Sequence, residues 1–214
     1  MKIKINNVKL FYDMTGSGSP VILLHGVGQN HKIFNKLVPQ LKDKYTVYTM
    51  DNRGNGKSQM HCEVSYPLMA SDVITFINEL KIEKPIIIGT GDGAIVALLI
   101  AMYEPEMLSK AIVCGANLYP AGLRPDTLAA ARKMYSLTKM CLYNLMLTEP
   151  NITPENLGKI QIPVHVLAGE KDMVRREHVL FSCKHMNGNL NFTQVFRRNV
   201  RLGKHKIVKT HFCK

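Results

Sequence analysis

The sequence has 214 residues, a length that fits one domain, and its 28 Lys and Arg residues against 16 Asp and Glu give a net charge of +12. Its longest apolar run, residues 94–103, is too short to cross a bilayer, and the first residues lack a long apolar segment for export, so we expect no membrane span. The five cysteines lack Cys-x-x-Cys spacing, which disfavours a disulfide framework and indicates a cytoplasmic protein. No cluster of His and Cys has metal-ligand spacing, and we expect neither a metal nor a cofactor.

The first half of the chain alternates between strand and helix patterns. Residues 2–6 and 9–14 are typical of a hairpin around Asn6-Asn7, and a loop rich in Gly and Ser leads into the apolar run 21–24. The predicted elements that follow are a helix over 33–41, a strand over 45–50 and a helix over 68–80, whose apolar residues recur at helical spacing.

The second half continues the alternation. Its predicted elements are strands over 85–88, 111–114 and 162–168, a buried helix over 92–103, and a weaker strand over 189–196 that amide side chains interrupt. Such alternation predicts a parallel sheet with helices on both faces. Residues 118–150 break the rhythm, because Pro120, Gly122 and Pro125 precede one Met- and Leu-rich helical stretch over 128–147.

The pentapeptide Gly89-Thr90-Gly91-Asp92-Gly93 directly follows the apolar run 85–88. One interpretation is a dinucleotide-binding loop, but that loop needs Gly-x-Gly-x-x-Gly after the first strand and an acidic residue about twenty positions later. The spacing here differs, and the pentapeptide lies in the middle of the chain. The other interpretation is a sharp strand-to-helix turn, in which only small residues fit two positions either side of the centre.

Three further motifs accompany the pentapeptide in a fixed order: His25-Gly26 after the strand 21–24, the segment Asp-x-Arg-Gly-x-Gly-x-Ser over 51–58, and Gly-x-x-Asp over 169–172. Together they resemble the α/β-hydrolase superfamily, over roughly residues 1–186. The resemblance implies a mostly parallel, doubly wound sheet with a short helical cap. It divides the chain into a core (1–117 and 151–186), a cap insertion (118–150) and a basic, divergent C-terminal segment (187–214).

The family mechanism is acyl transfer by a serine, a histidine and an aspartate, with two backbone N–H groups holding the oxyanion. The resemblance places the nucleophile position on Gly91, which has no side chain, and the oxyanion donors on Val27 and Asp92. It places the acid on Asp172. The alternative interpretation of Asp172 is an N-cap for a helix that begins near Val174, and Asp92 is expected to cap the helix after the pentapeptide.

The position of the histidine base falls on His205, in Gly203-Lys204-His205, with His211 as a second candidate. The alternative for His205 is an ordinary solvated histidine among lysines. Nearer the pentapeptide, the resemblance implies that His25, Asp51 and Arg53 fix the loops around the site, and that Ser58 is a turn hydroxyl rather than a nucleophile.

Three functions remain open. The first is a hydrolase relative that has lost most or all covalent catalysis and keeps a pocket for a small ester-like or hydrophobic ligand. The second is an enzyme in which water, activated by a His-Asp pair, attacks without a covalent step. The third is a basic module that binds nucleic acid or an anionic surface through its C-terminal segment, since eight basic residues and no acidic one follow Glu177. A solvated chain end is the simpler explanation of that charge, because no stacking platform accompanies it.

Overall fold

The computed structural model describes residues 1–60, 63–169, 171–186 and 190–195. Eight strands form one sheet in the order β1-β2-β4-β3-β5-β6-β7-β8. The strands are β1 (Lys2–Ile5), β2 (Val8–Thr15), β3 (Ser19–Leu24), β4 (Tyr45–Met50), β5 (Ile86–Thr90), β6 (Lys110–Cys114), β7 (Val164–Gly169) and β8 (Leu190–Val195). β1 and β2 pair antiparallel with each other and β2 with β4, whereas every pairing from β4 through β8 is parallel.

The described residues form seven α-helices and two short 3-10 turns. The helices are α1 (Val38–Leu41), α2 (Tyr66–Glu79), α3 (Asp92–Tyr103), α4 (Pro125–Thr138), α5 (Cys141–Thr148), α6 (Pro154–Leu157) and α7 (Arg176–Lys184), and the 3-10 turns are His31–Phe34 and Pro120–Gly122. None of the helices in these ranges is long and apolar enough to cross a bilayer.

The sheet is buried on both faces, as the alternating elements predict. In β3, Ile22 and Leu24 pack into the large core that contains α2 and α3, while Val21 and Leu23 pack with Phe34 on the opposite face. A strand between two helical layers is apolar at successive positions rather than at alternate ones, which explains the run 21–24. The fold is that of an α/β protein with a mostly parallel, doubly wound sheet.

The hairpin between β1 and β2 is confirmed. Asn6 and Asn7 form its two-residue turn with φ of 46° and 64°. Both central residues of a type I′ turn need positive φ, and asparagine tolerates that conformation better than most residues.

The helix predicted over 33–41 is wrong as a single element. The chain instead forms the 3-10 turn His31–Phe34 and then α1, which begins at Val38 with Pro39 in its first turn. Proline lacks the N–H that a helix interior needs, and its ring clashes with the preceding turn, so it starts a helix more readily than it continues one.

The helical stretch predicted over 128–147 is confirmed as helical, but it consists of two helices. Lys139 has a left-handed backbone (φ 54°) and its N–H bonds to the carbonyl of Tyr135, which ends α4. α5 then begins at Cys141. The predicted division into core, cap and C-terminal segment stays a prediction, and most of the segment 187–214 lies outside the described residues.

Candidate active site

A cavity of 360 Å³ lies where the parallel strands end. Loops after four neighbouring strands supply its walls: Gly26 and Val27 follow β3, Gly91 and Asp92 follow β5, Gly115 and Asn117 follow β6, and Lys171 and Asp172 follow β7. Leu123 and Met146, from the region predicted as a cap, complete the lining. Ligands of open parallel sheets bind at this edge.

Gly91 forms the bend between β5 and α3. Its backbone has φ 53° and ψ −119°, its N–H bonds to the carbonyl of Cys114 at 2.9 Å, and its carbonyl accepts the N–H of Ala94 at 2.9 Å. The pentapeptide is therefore a sharp strand-to-helix turn at the carboxyl edge of the sheet. A side chain at Gly91 would be strained, because few L-residues adopt positive φ.

The glycines two positions either side are required by close backbone contacts. A Cβ at Gly89 would lie 2.2 Å from the carbonyl oxygen of Gly93, and one at Gly93 would lie 2.3 Å from that of Leu24. At Gly91, by contrast, the nearest atom to an added Cβ is the Cα of Gly26 at 3.3 Å. A Cβ at position 91 would therefore meet less backbone than one at 89 or 93, although it would still be in tight contact with Gly26.

Val27 and Asp92 both line the cavity, and the backbone N–H group of each forms no hydrogen bond with another described residue. The adjacent N–H of Gly26 is occupied by the side-chain oxygen of Gln29 at 3.1 Å, which holds the turn in place. The pair predicted as oxyanion donors therefore lines one cavity, and its role as donors stays a prediction.

Asp172 lies in the turn after β7. Its carboxylate accepts the N–H groups of Gly169 (3.3 Å) and Val174 (3.4 Å), and its Oδ1 would be 3.0 Å from a Cβ at Gly115. The alternative interpretation of Asp172 as an N-cap is wrong, because α7 begins at Arg176 with Arg175 as its cap residue. Asp172 instead faces the cavity, where the resemblance expects the acid.

The histidine base is the remaining member of the predicted triad. His205 and His211 lie outside the described residues. None of the histidines in the described ranges lines the cavity, and within those ranges Asp172 accepts hydrogen bonds from backbone N–H groups. The assignment of His205 as base stays a prediction.

His25 is fully buried and both of its ring nitrogens are engaged. Nδ1 lies 2.8 Å from the carbonyl oxygen of Gly26, so it carries the proton, and Nε2 accepts the N–H of Asn52 at 3.1 Å. Burial holds the pKa of His25 below its usual value, although the hydrogen bond to Gly26 acts in the opposite direction. A neutral histidine in this arrangement joins two loops and has no nitrogen left to accept a proton.

The segment over 51–58 is fixed by buried polar contacts. Asp51 accepts the backbone and ring N–H groups of His31 at 2.6 and 2.8 Å. Arg53 donates two hydrogen bonds of 2.7 Å to Asp72 on α2. Ser58 Oγ donates to the carbonyl of Asp51 at 2.6 Å, so it is the turn hydroxyl that the sequence predicted.

The side chain of Asp92 is the site feature that sequence reasoning missed. It does not cap α3, because Gly91 is the cap residue and Asp92 Oδ1 instead accepts the hydroxyl of Tyr66 at 3.0 Å. Burial raises the pKa of Asp92 to about 7, although the bond from Tyr66 lowers it. The sequence signal that could have indicated a buried carboxyl group is an acidic residue, without a nearby basic residue, at the start of a wholly apolar helix.

The sequence model for the "alpha/beta hydrolase fold" matches residues 19–140, more than half of the chain. The chain belongs to the α/β-hydrolase family.

The described residues contain no group of three or more His, Cys, Asp or Glu side chains that could hold a metal ion.

Individual α/β hydrolases show the same relationship. The chain is 29% identical to the human protein named serine hydrolase BPHL, an alignment that covers 88% of this chain and 76% of that protein. It is also 29% identical to the Xenopus tropicalis protein named sn-1-specific diacylglycerol lipase ABHD11, over 85% of this chain and 54% of that one. These relatives support an α/β hydrolase with the character of an ester hydrolase.

Solved structures agree on the fold. Est816, described as an N-acyl homoserine lactone degrading enzyme, superposes with a TM-score of 0.77 at 18% identity, over 92% of each chain. A thermophilic esterase from Thermogutta terrifontis gives 0.77 at 20% identity, over 92% of this chain and 89% of that one.

Proposed function

We propose that this α/β hydrolase binds small ester-like or other acyl ligands in the cavity and does not form a covalent acyl-enzyme. The observation that carries the proposal is Gly91, which occupies the bend between β5 and α3 beside the free N–H groups of Val27 and Asp92. An ester carbonyl oxygen can accept hydrogen bonds from those groups whether or not a serine is present. Covalent attack, however, requires a side-chain oxygen or sulfur that glycine lacks.

Cys114 does not replace the missing serine. It lines the same cavity, but burial and the nearby Asp172 raise the pKa of its thiol to about 12. The thiolate is the nucleophilic form of cysteine, so a thiol with this pKa is inert at neutral pH.

The expected loss of rate is large. In a well-studied serine protease, removal of the nucleophile costs about 10⁶ in kcat and leaves about 10³-fold acceleration from the remaining site. The alternative, a water molecule activated by a His-Asp pair, requires a histidine that reaches Asp172, and none of the described histidines lines the cavity. We therefore favour binding with little or no turnover.

The test uses nitrophenyl esters of increasing acyl-chain length with the full chain. We expect saturable binding, measured as a rise in melting temperature with ester concentration, and no turnover above that of Asp172→Asn. Multiple turnovers that Asp172→Asn abolishes would contradict the inactive site, and an unchanged melting temperature across the ester series would contradict ligand binding.

A further inference from the structure

α4 is the most exposed long helix of the region between β6 and β7. Of its 14 residues, only Ala131 is buried. Near its C-terminal end Met134 and Leu137 are 36% and 69% exposed, and Met140, just after the helix, is 38% exposed. We call these three residues the α4 tip. Leu137 is the most exposed large apolar side chain among the residues that the structure describes.

The segment of sequence that contains the α4 tip carries charge of one sign. Residues 127–148 contain three basic residues, Arg132, Lys133 and Lys139, and no acidic one. Asp126, at the other end of the helix, is paired with Arg124 through two hydrogen bonds of 2.8 and 3.1 Å. Lys133 and Leu137 are four positions apart and so lie side by side on the helix surface.

Exposed apolar side chains flanked by cations, without anions, are the composition of a helix that lies in the headgroup region of an anionic membrane. We infer that the α4 tip docks on the surface of an anionic phospholipid bilayer, with Leu137 and the two methionines among the lipid chains and the basic residues at the phosphates. Nucleic acid fits less well, because methionine and leucine offer no stacking surface for bases. A second copy of this chain would bring like charges together.

The position of the docking surface connects it to the cavity. α4 packs against α5, and α5 contributes Met146 to the cavity wall. A bilayer in contact with α4 would therefore be separated from the cavity wall by α5. The inference does not depend on whether the cavity catalyses a reaction, because it rests on the outer side of α4.

The absence of tryptophan from the sequence provides a clean probe. Leu137→Trp introduces a single indole at the α4 tip. Tyr103→Trp is the matched control, since Tyr103 is 54% exposed at the far end of α3, which begins at the cavity and runs away from it. With vesicles of phosphatidylcholine and phosphatidylserine, we expect a blue shift of emission and quenching by brominated lipid for Leu137→Trp and neither change for Tyr103→Trp. Vesicles of phosphatidylcholine alone should give no shift.

Sedimentation with the same vesicles separates the α4 tip from the basic C-terminal residues. Relative to the unmodified chain, Leu137→Ser should weaken vesicle binding about tenfold through lost apolar burial, and Lys133→Glu about fivefold or more. Lys36→Glu, the same charge change at an exposed lysine before α1, should have a smaller effect.

Three outcomes would overturn the inference. Vesicle binding that Leu137→Ser and Lys133→Glu leave unchanged would assign the membrane contact elsewhere. Absence of vesicle binding would exclude the membrane. A blue shift of Leu137→Trp that grows with protein concentration without vesicles would show that the α4 tip joins two protein molecules instead.

Discussion

The hydroxyl of Tyr66 donates a hydrogen bond of 3.0 Å to the carboxylate of Asp92, and both side chains line the cavity although each is at least nine-tenths buried. No basic side chain donates to Asp92 in the described part of the chain. A buried carboxylate without a cationic partner is stabilised in its protonated form.

This relationship gives a pH dependence of stability. Because burial raises the pKa of Asp92 from 3.8 to about 7, the folded state holds the proton more tightly than the unfolded state does. The contribution of Asp92 to the free energy of unfolding is therefore complete below about pH 4, decreases as the pH rises, and is lost above about pH 7. Asp92→Asn should remove this decrease, so the variant should gain about 2–4 kcal/mol relative to the unmodified chain between pH 4 and pH 8.

Urea unfolding at a series of pH values measures the difference. Asp43→Asn, at an exposed position, is the control and should follow the unmodified chain. Tyr66→Phe removes the hydrogen bond that lowers the pKa of Asp92, so it should move the decrease to higher pH. Parallel curves for Asp92→Asn and the unmodified chain would show that Asp92 is solvated or paired.

Gly91→Ser should destabilise the fold. The backbone at Gly91 has a φ of 53°, which costs a residue with a side chain about 1–3 kcal/mol, or roughly 3–10 °C in melting temperature for a domain of this size. Gly54→Ser is the matched control, with φ 75° and no atom closer than 3.6 Å to the added Cβ, and should lose a similar amount. An unchanged melting temperature for Gly91→Ser would be evidence against a strained turn.

The same variant tests the remaining machinery. Gly91→Ser should gain esterase activity only if a histidine stands between the new hydroxyl and Asp172. The gain should then disappear in Gly91→Ser/Asp172→Asn and be absent from Gly54→Ser. Esterase activity of Gly91→Ser that survives Asp172→Asn would exclude Asp172 as the acid.

The ion pair between Arg53 and Asp72 should be important for folding. Both side chains are at most 3% exposed and form two hydrogen bonds of 2.7 Å. Asp72→Asn leaves the guanidinium buried without its counter-charge and should cost about 3–5 kcal/mol in denaturant unfolding. Arg124→Ala breaks an exposed ion pair and should cost far less. Equal losses in the two variants would contradict the structural role of the buried pair.

Most of the fold could be predicted from the sequence, because buried positions are occupied by apolar residues at the spacing typical of a strand or a helix. The run 21–24 and the helix that begins at Asp92 are apolar because they are buried. Positions 89 and 93 are glycine because a Cβ there would collide with backbone atoms. The hydrophobic pattern could not predict where a helix ends when the end depends on the backbone conformation of one residue. The left-handed Lys139, which separates α4 from α5, has no sequence signature of the kind that glycine provides.

The places of the candidate-site residues could be predicted from the sequence, but not every contact that their side chains make. The positions of Gly91, Val27 and Asp172 around one cavity follow from motifs at strand ends. The contact between Tyr66 and Asp92 joins residues 26 positions apart on different helices, and no local pattern reports such a pair. No comparable strand-end motif accompanies His205, and its role as base stays a prediction.

The central claim is that position 91 leaves this α/β hydrolase without a covalent nucleophile. The most direct measurement is intact-protein mass spectrometry after treatment with a fluorophosphonate, which labels activated serines. We expect the mass of the unmodified chain to stay constant. Addition of one phosphonate group, mapped to Thr90 in the cavity wall or to any serine of the chain, would contradict the account.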